Sequence, residues 1–481
     1  MTHPWRFDGF PGRVLWVDLT AGTCEARDIP HEWCLNHMGG KALATKLLVE
    51  WDTTDYEQAT ANQHPITGRM DTASHPTAPL LFMTGPYQGT KVGSSGRAVV
   101  VTRSPLTECY IDTYIGGNIG HDLRKAGWDG LFITGASESW VRLEISDHVA
   151  TLHPADDLLG KTTWETEQAL AALGECLSIG PAGENGVRIA SPLTAGRRAA
   201  GRGGTGASFG FKRLKAFTVR ASKEAAAQQR HAEDFSLTEA IKEQRKEMGT
   251  RRKYGDPFYA FGTSRGPIYA AENGRMPTAN YTSTDAQIPE LSALKVGGGQ
   301  GGQTAKAVRA GAQAVPVVSA MDTHELSGEH WHESLPDAKQ SGCCAPCPIA
   351  CEAADRPTVD GVKMRGRPVH VNRVDRPEYE TLAMMGANLG IGSSLDVMDG
   401  NDAANRMGID TISGGAALSF MCEVALRGWL PDGWSDRFEA PFAFGSFAKG
   451  DLVPWAFGVP ELPPLALHLL AHATPGDGTL F

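Results

Sequence analysis

The stretch Ala221-Ser-Lys-Glu-Ala-Ala-Ala-Gln-Gln-Arg230-His-Ala-Glu-Asp-Phe235-Ser-Leu-Thr-Glu239 divides the chain into two kinds of sequence. Residues 221–235 are Ala, Lys, Gln and Glu with little apolar content, and read as a solvated boundary. Ser236 and Glu239 then have capping-box spacing, each able to satisfy the other's end of a helix. Upstream the period is that of strands. Val14–Leu19, Leu80–Thr84, Ala98–Thr102, Leu131–Thr134 and Phe217–Arg220 are short β-branched or apolar runs bounded by Gly, Pro and Ser. Helical spacing interrupts them at Lys41–Trp51 and Thr162–Leu173. Downstream, Leu395–Met407 and Ser413–Leu426 read as helices, and 465–473 as a short one. The pattern predicts an α+β protein: a β-rich N-terminal domain over 1–221, then a mainly α-helical domain over 222–481.

Composition narrows the function. Of 481 residues, 41% are apolar and 21% charged, ordinary for a folded chain and against disorder as the main state. Forty-five basic against 55 acidic residues give a net charge of −10, which argues against a nucleic-acid binder. No apolar run approaches the ~18 residues that span a bilayer. Met1 to Arg13 lacks the continuous apolar segment of a secretory signal, so the expected location is the cytoplasm.

Four of nine cysteines lie close together: Cys343, Cys344, Cys347 and Cys351. Cys344-Ala-Pro-Cys347-Pro-Ile-Ala-Cys351 is a C-x2-C-x3-C, through which one loop can deliver three soft thiolates to an iron–sulfur cluster or to zinc. Zinc modules normally add a second ligand pair, and none is visible, although His330, His332 or His370 could supply a single further ligand. A [4Fe–4S] cluster held by Cys344, Cys347 and Cys351 is the preferred reading; zinc and metal-free thiols stand beside it. Cys343 reads as a bystander.

Two loops pair glycine with arginine. Arg198-Ala-Ala-Gly201-Arg202-Gly203-Gly-Thr-Gly206 contains a literal G-x-G-x-x-G, but Ala195-Gly-Arg-Arg ahead of it is no strand, so as a dinucleotide fingerprint it is weak. Its bare backbone N–H groups and guanidinium forks still suit an anion, the bland alternative being a flexible basic loop. Gly93-Ser-Ser95-Gly96-Arg97 has the same chemistry just before a strand. Glu378-Tyr379-Glu380 precedes an apolar stretch: a carboxylate there is a candidate acid or base, or simply favours a helix's first turn. Asn405-Arg-Met-Gly408-Ile-Asp410-Thr411 is a turn between helices that could receive ring N–H groups of a ligand, with capping of the next helix as the default.

Together these stretches resemble the aldehyde ferredoxin oxidoreductase family, the tungsten or molybdenum bis-pyranopterin enzymes. The likeness is dense over 12–222, returns at Cys344–Cys351 and runs from Tyr379 to Gly428. It implies that the first domain is the β-rich base against which two pterins lie, with Arg97 between pterin and cluster and Ser95 and Gly96 among the cofactor-binding residues. Arg198, Gly201, Arg202 and Gly203 would sit against the pterin, and Tyr114 stands where the family presents a polar pterin contact. Gly408 and Asp410 match the family's D-x-x-G-L-D pterin motif, with Asn405 in place of the first Asp and Thr411 following. Tyr379 and Glu380 match the substrate-pocket pair. The implied cofactors are a [4Fe–4S] cluster and a tungstopterin (or its molybdenum equivalent), with magnesium bridging the pterin phosphates. The metal itself is held by pterin dithiolenes.

The resemblance implies oxidation of a small aldehyde to a carboxylate, with electrons leaving through the cluster to a ferredoxin-like carrier. Family members carry a further helical domain with a pocket His, a second pterin motif and the fourth cluster cysteine. Residues 465–481 resemble only the entry to it, so the chain is expected to be C-terminally truncated. The alternative function is therefore an inactive or split half-subunit that binds cluster and pterin, completed by a second chain.

Overall fold

The computed structural model describes residues 5–51, 73–231, 236–253, 256–278, 280–281, 324–335, 339–341, 343, 346–349, 351–355, 363–364, 367–368 and 374–426. Cys344, His370, most of 356–376 and everything read over 427–481 lie outside them.

Two six-stranded sheets build the N-terminal region. The first comprises β1 (Arg13–Asp18), β2 (Thr23–Asp28), β3 (Leu80–Met83), β4 (Ala98–Arg103), β5 (Tyr110–Ile115) and β6 (Gly130–Thr134), in the order β2-β1-β6-β3-β4-β5. The second comprises β7 (Val141–Ser146), β8 (Val149–Pro154), β9 (Glu175–Ser178), β10 (Leu193–Thr194), β11 (Arg198–Ala199) and β12 (Leu214–Arg220), in the order β11-β10-β9-β12-β7-β8. The period-2 alternation of a strand decides which face meets what. Leu80 and Phe82 of β3 join Leu15, Val17, Leu131, Leu177, Phe217 and Val219 in one core shared by both sheets. Leu81 and Met83 point the other way, joining Leu43, Ala44 and Cys34 from the helices His31–His37 and Gly40–Glu50. Phe82 meets Phe217 edge to face, ring centroids 5.1 Å apart. The central strands β3, β4 and β6 are thus buried on both faces.

Among the described residues the remainder is mainly helical, so the expected α+β division between a β-rich and a helical region is what forms. Ser236 caps the helix Leu237–Lys253 through the Glu239 N–H at 3.4 Å. The helices Ser394–Met407 and Thr411–Leu426 follow a π-helical segment, Leu382–Gly386, and a short 3-10 turn. Among the described residues no helix is long and apolar enough to cross a membrane.

Three carboxylates, Asp396, Asp399 and Asp402, recur along the helix Ser394–Met407. Burial, then Asp396 and Asp402, push Asp399 up to about 6, and its Oδ1 has no hydrogen-bond partner. Between its ordinary value of 3.8 and about 6 the folded chain holds a proton that the unfolded chain has released. Stability therefore falls as pH rises through that window. Asp399→Asn is expected to stabilise the protein by about 1–2 kcal/mol at neutral pH. Near pH 4 it should do nothing; thermal melts at the two pH values check this, and equal effects at both would contradict it.

Candidate active site

A hairpin carries the cysteines. Lys339–Ser341 and Glu352–Asp355 pair antiparallel, with Ser341 opposite Glu352, so the chain between them closes as a loop and Cys343 and Cys351 face each other across its mouth. The Cys351 thiol shares a hydrogen bond with the Cys343 thiol, and its pKa is raised by that bond and then by burial, with Glu378 and Cys347 adding negative charge. The Cys347 sulfur lies 3.9 Å from Ser94 Oγ. Among the described residues no three His, Cys, Asp or Glu groups converge tightly on a single ion. A cluster distributes its thiolates over several irons, so it asks only for soft donors facing a common space.

The base domain grips this loop. Gly117 N–H donates to the Cys343 carbonyl at 3.0 Å and Ser94 N–H to the Pro346 carbonyl at 2.8 Å. At Gly116 a β-carbon would lie 2.4 Å from the Cys343 carbonyl, so only glycine permits the approach. Arg97 reaches from its exposed position at the start of β4 to within 3.8 Å of the Cys343 sulfur. Ser95 and Gly96 shape this turn: Ser95 Oγ donates to the Val92 carbonyl at 2.8 Å, and Gln88 holds the Gly96 carbonyl at 3.0 Å.

The second glycine–arginine loop begins at β11 and ends as the helix Thr205–Phe211. Arg198 is half-buried; desolvation and the neighbouring Arg197 guanidinium push it down to about 10. A bound anion would relieve that cost. At Gly201 a β-carbon would find no atom within 4 Å, so the loop borders open space. Gly203 instead backs onto Ile111 of β5, and its carbonyl accepts from Ser104 Oγ at 2.7 Å. Arg202 is exposed; its Nε lies 3.7 Å from Asp410 and its Nη2 3.5 Å from Ser413 Oγ. Tyr114, on β5, has its hydroxyl pushed up by burial and by Asp112.

From the helical side, Gly408 adopts φ +75° and packs where a β-carbon would lie 2.8 Å from the Gly180 nitrogen. Its carbonyl accepts from Ser191 N–H at 2.8 Å, and Asp410 N–H donates to the Ile189 carbonyl at 3.1 Å. Asn405 is buried, and its carbonyl accepts from Thr163 Oγ1 at 2.8 Å. Asp410 caps the helix Thr411–Leu426 through Ile412 N–H at 2.9 Å and Ser413 Oγ at 2.5 Å, so the capping reading is correct whatever else the turn does. Thr411 Oγ1 bonds Thr381 Oγ1 at 2.8 Å, tying this turn to the segment Tyr379–Thr381. Glu380 is exposed there, and Tyr379 is half-buried against Gly266. Burial and then Glu380 raise the Tyr379 phenol, which keeps it protonated at neutral pH.

The structure thus joins the two loops, the cysteine hairpin, the Tyr379–Glu380 pair and the 405–411 turn through one chain of contacts. Three features escaped the sequence reading. Cys343, expected to stand aside, is the cysteine that meets Arg97 and Cys351, whereas Cys344 lies outside the described residues. Arg376 is buried and clamps the loop's far end, donating to the Cys351 carbonyl and, at 2.9 Å, to the Ala260 carbonyl. Arg197 and Asp375 form an ion pair between the base and the hairpin's sheet. The spare histidines have other partners: His330 bonds Ser394 at 3.3 Å and His332 packs edge-on to Phe261.

Thiols beside a guanidinium fit an iron–sulfur cluster, and the half-buried, charge-crowded Arg198 next to the open space at Gly201 fits an anionic, phosphorylated cofactor.

Comparison with known proteins identifies the family. The family model for the aldehyde ferredoxin oxidoreductase N-terminal domain matches residues 14–221, and that for domains 2 and 3 matches 239–448. The tungsten-containing aldehyde ferredoxin oxidoreductase of Pyrococcus abyssi is 30% identical over 448 residues, 91% of this chain and 62% of the relative. That of Thermococcus kodakarensis is 30% identical over 429 residues, 88% of this chain and 60% of the relative. The chain therefore spans about three-fifths of the length of these relatives. Among solved structures, the active-site complex BamBC of benzoyl coenzyme A reductase superimposes with a TM-score of 0.60. It is 20% identical, the match covering 96% of this chain and 62% of that one, and so speaks to the fold alone. By sequence, the chain belongs to the aldehyde ferredoxin oxidoreductase family.

Proposed function

We infer that the protein is a cytoplasmic oxidoreductase of the aldehyde ferredoxin oxidoreductase type, converting a small aldehyde and water to a carboxylate, two electrons and protons. When bound, a tungsten or molybdenum bis-pyranopterin with magnesium would supply the two-electron chemistry, and a [4Fe–4S] cluster on the cysteine loop (Cys344, Cys347 and Cys351) would supply one-electron transfer to a ferredoxin-like carrier. Arg97, Arg198 and Arg202 would hold the phosphorylated cofactor, with Gly201 and Gly203 giving backbone access and Asp410, Asn405 and Thr411 facing it from the helical side. Tyr379, protonated, donates a hydrogen bond to the aldehyde oxygen as negative charge develops there. Glu380 accepts the proton of the attacking water.

The observation that carries this reading is the Thr381–Thr411 bond, which sets the Tyr379–Glu380 pair beside the turn that Arg202 of the glycine–arginine loop also touches. Metal analysis of anaerobically purified protein tests it. Tungsten or molybdenum at near-unit occupancy, together with iron, is expected. Iron without either metal would instead favour a half-subunit that needs a second chain to complete its pterin site.

A further inference from the structure

Three cysteines of a C-x2-C-x3-C leave one iron of a four-iron cluster without a thiolate. We propose that Cys343 is itself a cluster ligand, acting with Cys347 and Cys351 of the same hairpin. This rests on the cluster reading above and adds to it a sulfur that the family-type spacing passes over.

The backbone is built to hold Cys343 inward. The antiparallel register that ends at Ser341 and Glu352 brings it opposite Cys351. Its carbonyl is fixed by Gly117 N–H at 3.0 Å, and the missing β-carbon of Gly116 is what lets that carbonyl in. With Pro346 held by Ser94 and Cys351 by Arg376, the loop is gripped at its start, middle and end by both parts of the molecule. A residue with no task at this place needs no such clamp.

The side chain points the same way. The Cys343 sulfur has the Arg97 guanidinium at 3.8 Å and the Cys351 thiol as a hydrogen-bond neighbour. Cys34, Cys176 and Cys422, in contrast, are buried, the first two within hydrophobic core clusters, where a thiol packs as a small side chain. Ligation by Cys343 releases its proton to solvent and places one more negative sulfur against Arg97. All of these contacts come from one hairpin and the elements packed on it.

The test uses the full chain, reconstituted anaerobically with ferrous iron and sulfide. In the wild type, Cys343 should resist alkylation by iodoacetamide until a chelator strips the iron, as read by peptide mass spectrometry that separates Cys343 from Cys344. Cys343→Ala should lose iron and acid-labile sulfide, and what remains should change from a four-iron to a three-iron paramagnetic signal. Cys109→Ala, at an exposed cysteine away from the hairpin, should change neither. Alkylation of Cys343 in the iron-loaded wild type, or a Cys343→Ala protein with wild-type iron and spectrum, overturns the assignment while the cluster reading survives. A wild type that takes up no iron and sulfide overturns both.

Discussion

Exchanging Glu380 for Gln is expected to lower kcat by about 10²–10⁴-fold, the usual contribution of a positioned general base, with tungsten or molybdenum and iron contents unchanged. Gln keeps the length and hydrogen-bonding reach of the side chain and removes only its ability to take a proton. The structural cost should be small, because Glu380 is exposed in the first turn of a short helix. Losing a favourable charge at that end costs about 0.3–1 kcal/mol, too little to unfold the protein. Turnover per bound metal is therefore the measurement, and a variant as active as the wild type removes Glu380 from the reaction. Tyr379, whose phenol stays protonated, provides the contrast: Phe at that position removes a donor rather than a base, so it should leave the pH dependence of turnover intact.

What could be read in advance follows from how much each element needs its neighbours. β3, β4 and β6 are legible because a strand buried on both faces is a continuous apolar run, as in Leu80–Met83 and Ala98–Thr102. The hairpin of β7 and β8 is not: Val-Arg-Leu-Glu-Ile-Ser buries only Leu143 and Ile145 fully, and its turn at Asp147 uses a positive φ of 51° without glycine. β5, at the edge of its sheet, carries Tyr110, Asp112 and Tyr114 on an exposed or half-exposed face and is equally quiet. In the site, the glycine–arginine loops and the Asn405–Thr411 turn announce themselves by composition. The part played by Cys343 does not, because it depends on Gly116 and Gly117, far away in sequence and brought beside it by the fold. Arg376, in a stretch legible only as rich in Arg and Val, acquires meaning when its guanidinium reaches the Cys351 carbonyl.

The largest expected loss of stability comes from Asp129→Ala. Arg124 and Asp129 form an ion pair with both side chains fully buried. The carboxylate also accepts Gly12 N–H at 2.6 Å and Arg13 N–H at 3.0 Å, while the Asp129 carbonyl takes the N–H and hydroxyl of Thr84, each at 2.9 Å. Arg124 in turn lies between the rings of Trp5 and Phe10, 5.2 Å from each centroid, and donates to the Gly9 carbonyl. The pair thus latches the N-terminal segment to the end of β3, from which the Gly85–Arg97 connection departs. Removing the carboxylate strands a guanidinium and two amides without water, which should cost about 3–5 kcal/mol. Arg124→Met with Asp129→Leu removes both charges and should recover part of that loss, since an apolar pair replaces an ion pair more cheaply than a broken one. Urea midpoints of the two variants and the wild type decide it: if Asp129→Ala unfolds at the wild-type midpoint, the latch is not what holds the N-terminal segment in place.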